Sequence, residues 1–186
     1  RCSLKDMLLA TGAATSFDSL EEFLVDRLKV QQREAGVRHD LIDAVFSLGG
    51  EDDLVRLLAR VNALQAYITT AEGANLLAAY KRAANILKVA DGVDAAAPAP
   101  ADLVAEERAL LTALDTAAPN AAAAVDAEDF EGAMAALASL RAPIDAFFEG
   151  VMVNDEDPAK RAFRLGLLAR FRDAVHRVAD FAKIEG

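Results

Sequence analysis

Tryptophan is absent from this 186-residue chain, tyrosine occurs twice, and aromatics make up only 6% of the residues. That scarcity disfavours a sandwich of bulky strands, while an apolar content of 54% excludes a disordered protein. Alanine supplies much of the apolar fraction and favours closely packed helices. The expected fold class is therefore all-α: a multi-helix bundle of about seven main helices, arranged as one body or as two packed lobes. Cysteine is nearly missing as well. Cys2 alone cannot form an intramolecular disulfide, which is compatible with a reducing compartment. No uninterrupted apolar run approaches the roughly 20 residues that cross a bilayer, and Arg1-Cys2-Ser3-Leu4-Lys5 leads into too short a stretch for a signal peptide. A soluble, cytoplasmic protein without membrane contact is expected. Because Arg1 stands where an initiating Met would, a piece of a longer polypeptide is expected too.

Histidine is equally sparse, and this removes several chemistries. The adjacent His39-Asp40 pair has the form found in metal-dependent phosphohydrolases, but such a site needs further His and Asp ligands, and His176 is the only other histidine. There is no Gly-rich phosphate loop, no Cys/His metal spacing and no nucleophile with a His partner. No catalytic residue and no metal site are expected.

Positive charge is in deficit, with a net charge of −10. Taken alone this argues against a nucleic-acid partner, which needs a cationic footprint. The distribution is uneven, however. Residues 91–157 hold fifteen acidic and two basic side chains, whereas 158–186 hold three acidic and seven basic ones.

Helical signals run along the chain. Residues 1–17 read as a short lead-in. Ser19 and Glu22 have capping-box spacing ahead of a stripe of Leu20, Phe23, Leu24 and Leu28 that Gly36 stops. Asp40 is placed to cap a helix over Leu41, Ile42, Val45 and Phe46 that ends at Gly49-Gly50, and Asp52 or Asp53 to begin one through Ile68. Beyond the next helix, residues 93–100 alternate Ala and Pro, which cannot continue a helix and offer little to bury. This linker is expected to be exposed and mobile, and to separate an N-terminal lobe (1–92) from an acidic helical region with a basic last helix (101–186). In the second part Asp102 is placed to cap a helix that Pro119 interrupts. Two more helices follow, over 128–140 and from Pro143 through Phe148. A last one starts at Pro158 and buries Leu168, Phe171, Val175 and Val178.

Two segments stand out chemically. Leu76 to Lys88 puts Leu77, Tyr80, Ala84 and Leu87 on one helical face and Lys81, Asn85 and Lys88 on another, with Arg82 beside them. Pro158 to Arg172 repeats the arrangement with Arg161 and Arg164. These segments, together with Asp26-Arg27-Leu28-Lys29-Val30, Gly36 to Val45, Phe147 to Asn154 and the closing Ala179-Asp180-Phe181, resemble the C-terminal part of bacterial glycyl-tRNA synthetase β subunits, which ends in a helical anticodon-binding domain of the DALR type. Where that family has Asp-Ala-Leu-Arg, this chain has Asp157-Pro158-Ala159-Lys160-Arg161.

The resemblance implies an anticodon-binding module with glycine tRNA and the synthetase α subunit as partners, and with no DNA. It implies ATP and Mg for the whole enzyme but no cofactor in this part, since glycine activation and transfer reside elsewhere. An anticodon is a single-stranded loop with splayed bases, so its reader needs cations for phosphates and planar or hydrogen-bonding groups for bases. On that basis Lys81, Arg82, Lys88, Arg161 and Arg164 are expected to meet phosphates, Asn85 and Arg38 to reach base edges, and His39 to stack. The bland alternative makes each a solvated surface residue and the chain a helical protein-interaction or regulatory bundle without RNA contact. The two readings part on whether the two basic segments converge on one surface.

Overall fold

Eight α-helices and one 3₁₀ turn, with no strand, make up the described part of the structure, a computed structural model that describes residues 17–49 and 53–185. In chain order they are α1 Phe17–Glu34, α2 His39–Phe46, α3 Leu54–Ile68, α4 Ala71–Lys88, α5 Ala105–Asp126, α6 Phe130–Ala138, α7 Arg141–Gly150 and α8 Pro158–His176, followed by the turn Phe181–Lys183. The all-α expectation holds. The lead-in up to residue 16, with Cys2, lies outside the described residues, as do Gly50, Asp52 and the side chains of Leu20 and Leu24.

Helix ends follow local chemistry, though not always at the residues the sequence nominated. The Asp53 carboxylate accepts hydrogen bonds from the Val55 and Arg56 amides, and Thr70 accepts from Gly73. Asp157 accepts from Ala159 with Pro158 in the first turn. Gly36 stops α1 with φ +86°, a left-handed conformation that glycine adopts without steric cost. Three expectations are corrected. Helix α1 already runs at Phe17, so Ser19 is inside it and not its cap. Asp40 lies in the first turn of α2 behind the capping position Arg38. Asp102 does not cap α5; that helix starts at Ala105, where the Glu107 carboxylate accepts from the Val104 amide at 2.9 Å.

Pro119 does not interrupt α5, which continues through it for 22 residues. A proline inside a helix removes one backbone hydrogen bond. Here Leu110, Leu114, Ala117, Ala121 and Val125 form one buried stripe that spans the proline and packs on α6 and α8. Burial of that stripe outweighs the missing bond.

Apolar side chains on both sides of residues 93–100 belong to one core, in which α4 packs against α8 and α7 while α5 packs against α6, α7 and α8. The two basic segments of the sequence are thus direct neighbours. The 93–100 segment is mostly exposed but lies on α8. A Cβ added at Gly166 would come within 2.6 Å of the Asp94 carbonyl oxygen and 3.6 Å of the Ala97 methyl. Because the first contact is with backbone, Gly166→Ala must push α8 and the segment apart. We expect a loss of about 1 to 3 kcal/mol in thermal unfolding, together with faster proteolytic cleavage within 93–100. An unchanged melting temperature contradicts that packing.

Candidate nucleic-acid interface

Helix α4 separates its two chemistries as its spacing requires. Leu76, Leu77, Tyr80, Ala83 and Leu87 are buried, whereas Arg82, Asn85 and Lys88 are exposed and Lys81 is half-exposed on the contiguous outer arc. Lys88 in the last turn also complements the helix dipole. The Arg82 guanidinium lies over the Phe148 ring of α7, 4.2 Å from its centroid, and donates to the Phe148 carbonyl at 3.4 Å. This stacking restricts a long side chain before any ligand arrives.

At the start of α8 the two candidate arginines part company. Arg161 points to solvent, and no ion pair engages it among the described residues. Arg164 is corrected: it is only 6% exposed, and its Nε donates to Glu107 Oε1 at 2.5 Å, with Glu107 itself 1% exposed. Its Nη1 donates to the Met152 carbonyl at 2.9 Å and also pairs with Asp155. Burial by itself pulls the Arg164 pKa down, but the bonds to Glu107 and Asp155 outweigh it and raise the value. Arg164 therefore meets no phosphate. It fastens the 151–155 connection to the N-terminus of α5. Other cations of α8 are matched too, Lys160 by Asp102 at 2.7 Å and Arg170 by Asp115 at 2.5 Å.

Fastening that connection creates a groove of about 380 Å³ between the end of α4 and the start of α8. Its polar lining is Arg82, Arg161 and Asn154, and its apolar lining includes Ile86, Met152 and Leu165. Val89 and Met152, at 82% and 75% exposure, are unusually open apolar side chains at its edge. Two cations thus flank an apolar surface with an amide within reach, which is the combination a phosphate with an unstacked base requires. Sequence reading did not select Val89, Met152, Phe148 or Asn154 as site residues. For Phe148, Met152 and Asn154 the signal was the Phe147 to Asn154 run between two amphipathic helices.

Arg38 and His39 are elsewhere, at the start of α2. Arg38 donates to both oxygens of the buried Asp40 carboxylate and to the Glu185 carbonyl, while His39 Nε2 lies 3.9 Å from the Glu185 carboxylate. The Glu185 amide returns a bond to Asp40 at 2.8 Å, and the Asp180 amide bonds the Ala44 carbonyl at 2.8 Å. Phe181 then packs on Tyr80, with ring centroids 5.6 Å apart. Arg38 is committed to this clamp on the C-terminal segment and is not placed beside the groove.

Burial alone pushes the Asp40 carboxyl up; the Arg38 hydrogen bond and the Glu185 and Leu41 amides outweigh it and hold it below the usual aspartate value. A carboxyl depressed in the folded state stabilises the fold above its unfolded pKa of about 3.9, and that stabilisation is lost as pH falls through the folded value. Asp40→Asn should accordingly lower the melting temperature at pH 7 and flatten its decline below about pH 4. A variant whose acid profile parallels the parent contradicts the clamp.

Among the described residues no group of three or more His, Cys, Asp or Glu side chains could hold a metal, and no helix is long and apolar enough to cross a membrane.

Among the described residues, the basic helices α4 and α8 thus share a cationic, partly apolar groove. Residues 76–185 match the DALR anticodon binding domain family, and the chain belongs to it. It is 52% identical over 183 residues to the glycine–tRNA ligase beta subunit of Rhodospirillum centenum, covering 95% of this chain and 26% of that protein. Over 173 residues it is 51% identical to the protein of the same name from Phenylobacterium zucineum, covering 91% of this chain and 26% of that one. The Paracoccus denitrificans beta subunit gives 51% over 169 residues, 88% of this chain and 25% of the relative. The chain thus spans about a quarter of the length of these relatives.

Proposed function

We propose that this chain is the anticodon-binding part of a cytoplasmic glycine–tRNA ligase β subunit, holding glycine tRNA while an α subunit and other parts of the enzyme carry out ATP- and Mg-dependent glycylation. The convergence of Arg82 and Arg161 on one groove carries the reading. Arg82, already oriented on Phe148, and Arg161 would bind successive phosphates of the loop. Lys81 and Lys88 on the same arc of α4 would extend the cationic track. Met152 and Val89 would support an unstacked base, with Asn85 and Asn154 hydrogen-bonding base edges.

The competing interaction-module reading keeps one observation in its favour: Phe23 and Val30 stand exposed on α1, seven residues apart and on one face. Titration of glycine tRNA and of its anticodon variants against the chain tests the choice. Tighter binding of the glycine tRNA supports anticodon recognition. No binding favours the interaction module, whereas binding indifferent to the anticodon keeps the RNA contact and removes anticodon recognition.

A further inference from the structure

Phe148 and Arg82 have a second side. Between α4 and α7 lies another groove, about 280 Å³, with Arg82 common to both and with Asn75, Arg141, Asp145 and Glu149 as its remaining polar lining. The groove is open because Ala78 and Ala79 of α4 put only methyl groups opposite Phe148. The geometry points to a subsite that receives the edge of one unpaired base of the RNA loop. This inference rests on the RNA-binding reading of the neighbouring groove and assigns a different task to this one.

The charges set the two grooves apart. In the first, Arg82 and Arg161 face no carboxylate in the lining, so an anion is favoured there. In the second, Asp145 and Glu149 offset Arg82 and Arg141, and Arg141 Nε already lies 3.6 Å from the Asp145 carboxylate one helical turn away. A phosphate placed there would meet two carboxylates. A base edge, by contrast, carries amino or imino donors beside ring-nitrogen or carbonyl acceptors. Carboxylates accept from the donors, a guanidinium donates to the acceptors, and the Asn75 amide does either. The groove thus presents both halves of a hydrogen-bond pattern with no net charge, which suits discrimination between bases. Selection of this kind arises because a mismatched base leaves polar groups unpaired. Arg82 joins the two tasks: with a phosphate on its guanidinium in the first groove, the attached nucleoside is beside Phe148, at the entrance to the second.

Asn75 is exposed and Asp145 only half-buried, so Asn75→Ala and Asp145→Asn can be made in the full chain without opening the core. The probes are RNA hairpins carrying the glycine tRNA anticodon loop and single-base variants of each loop position, titrated at several salt concentrations. We expect the parent to prefer one base at some loop position by tenfold or more. Either substitution should shrink that preference to within twofold, and Asn75→Ala, which alters no charge, should leave the salt slope unchanged. Arg161→Ala should do the reverse, lowering the slope and leaving the preference intact. Retention of the parental preference by both variants overturns the subsite, as does a parent with no base preference. Loss of the Arg161 effect on slope and affinity overturns instead the phosphate reading of the first groove.

Discussion

Arg164→Ala should be the most damaging single substitution among the candidate residues, lowering the melting temperature by roughly 6 to 20 °C. The side chain looks like a nucleic-acid ligand in the sequence, yet it is enclosed, and three acceptors share its guanidinium: Glu107, Asp155 and the Met152 carbonyl. Deleting it strands the Glu107 carboxylate at 1% exposure. Removing one partner of a buried pair costs about 3 to 5 kcal/mol, because the remaining charge stays desolvated and unpaired. Lysine should rescue little, since a single ammonium cannot reproduce the planar fork. Coupling Arg164→Met with Glu107→Gln should recover much of the loss: the buried charge disappears and the glutamine oxygen can still accept from the Val104 amide. Thermal unfolding of the three variants decides the matter, and a melting temperature for Arg164→Ala close to the parent contradicts the assigned role.

Arg82→Ala combined with Arg161→Ala should show the opposite profile, with little change in unfolding and a large loss of RNA affinity. Both side chains are exposed, and exposed substitutions generally stay within about 0.5 kcal/mol. Arg82 adds a stacking contact with Phe148 that at exposed sites contributes about 0.5 to 1 kcal/mol. Hydrogen bonds to charged groups contribute about 1.5 to 3 kcal/mol each, so every lost phosphate contact should weaken binding roughly tenfold or more. Arg82→Lys separates orientation from charge: it keeps the cation but loses the planar stack, and should fall between parent and alanine. Equal affinities of the double variant and the parent for glycine tRNA would remove this groove from the function.

The helices themselves were legible because their spacing and many end signals agree. Asp53, Asp157-Pro158 and Gly36 act where local chemistry places them, and Leu77, Tyr80 and Leu87 are buried as their period requires. Misreadings arose where a distant partner outweighs a local rule. Pro119 fails to break α5 because a buried stripe runs past it, and Asp102 leaves the helix end to pair with Lys160 across 58 residues. Arg164 is the instructive case. It stands four and seven residues before Leu168 and Phe171, on the very stripe read as buried, so periodicity already placed it inside. Its positive charge suggested the surface, and Glu107, 57 residues away, reverses that assignment. The groove could not be read locally at all, since it exists only where residues 82–90 meet residues 151–165.

The most direct measurement of the central claim is the salt dependence of glycine tRNA binding by the parent and by the Arg82→Ala, Arg161→Ala double variant. If both arginines neutralise phosphates of a single-stranded loop, each removes roughly 0.7 from the magnitude of the slope of log affinity against log salt, and the double variant should lose about 1.4. Parallel lines for the two proteins would contradict the account.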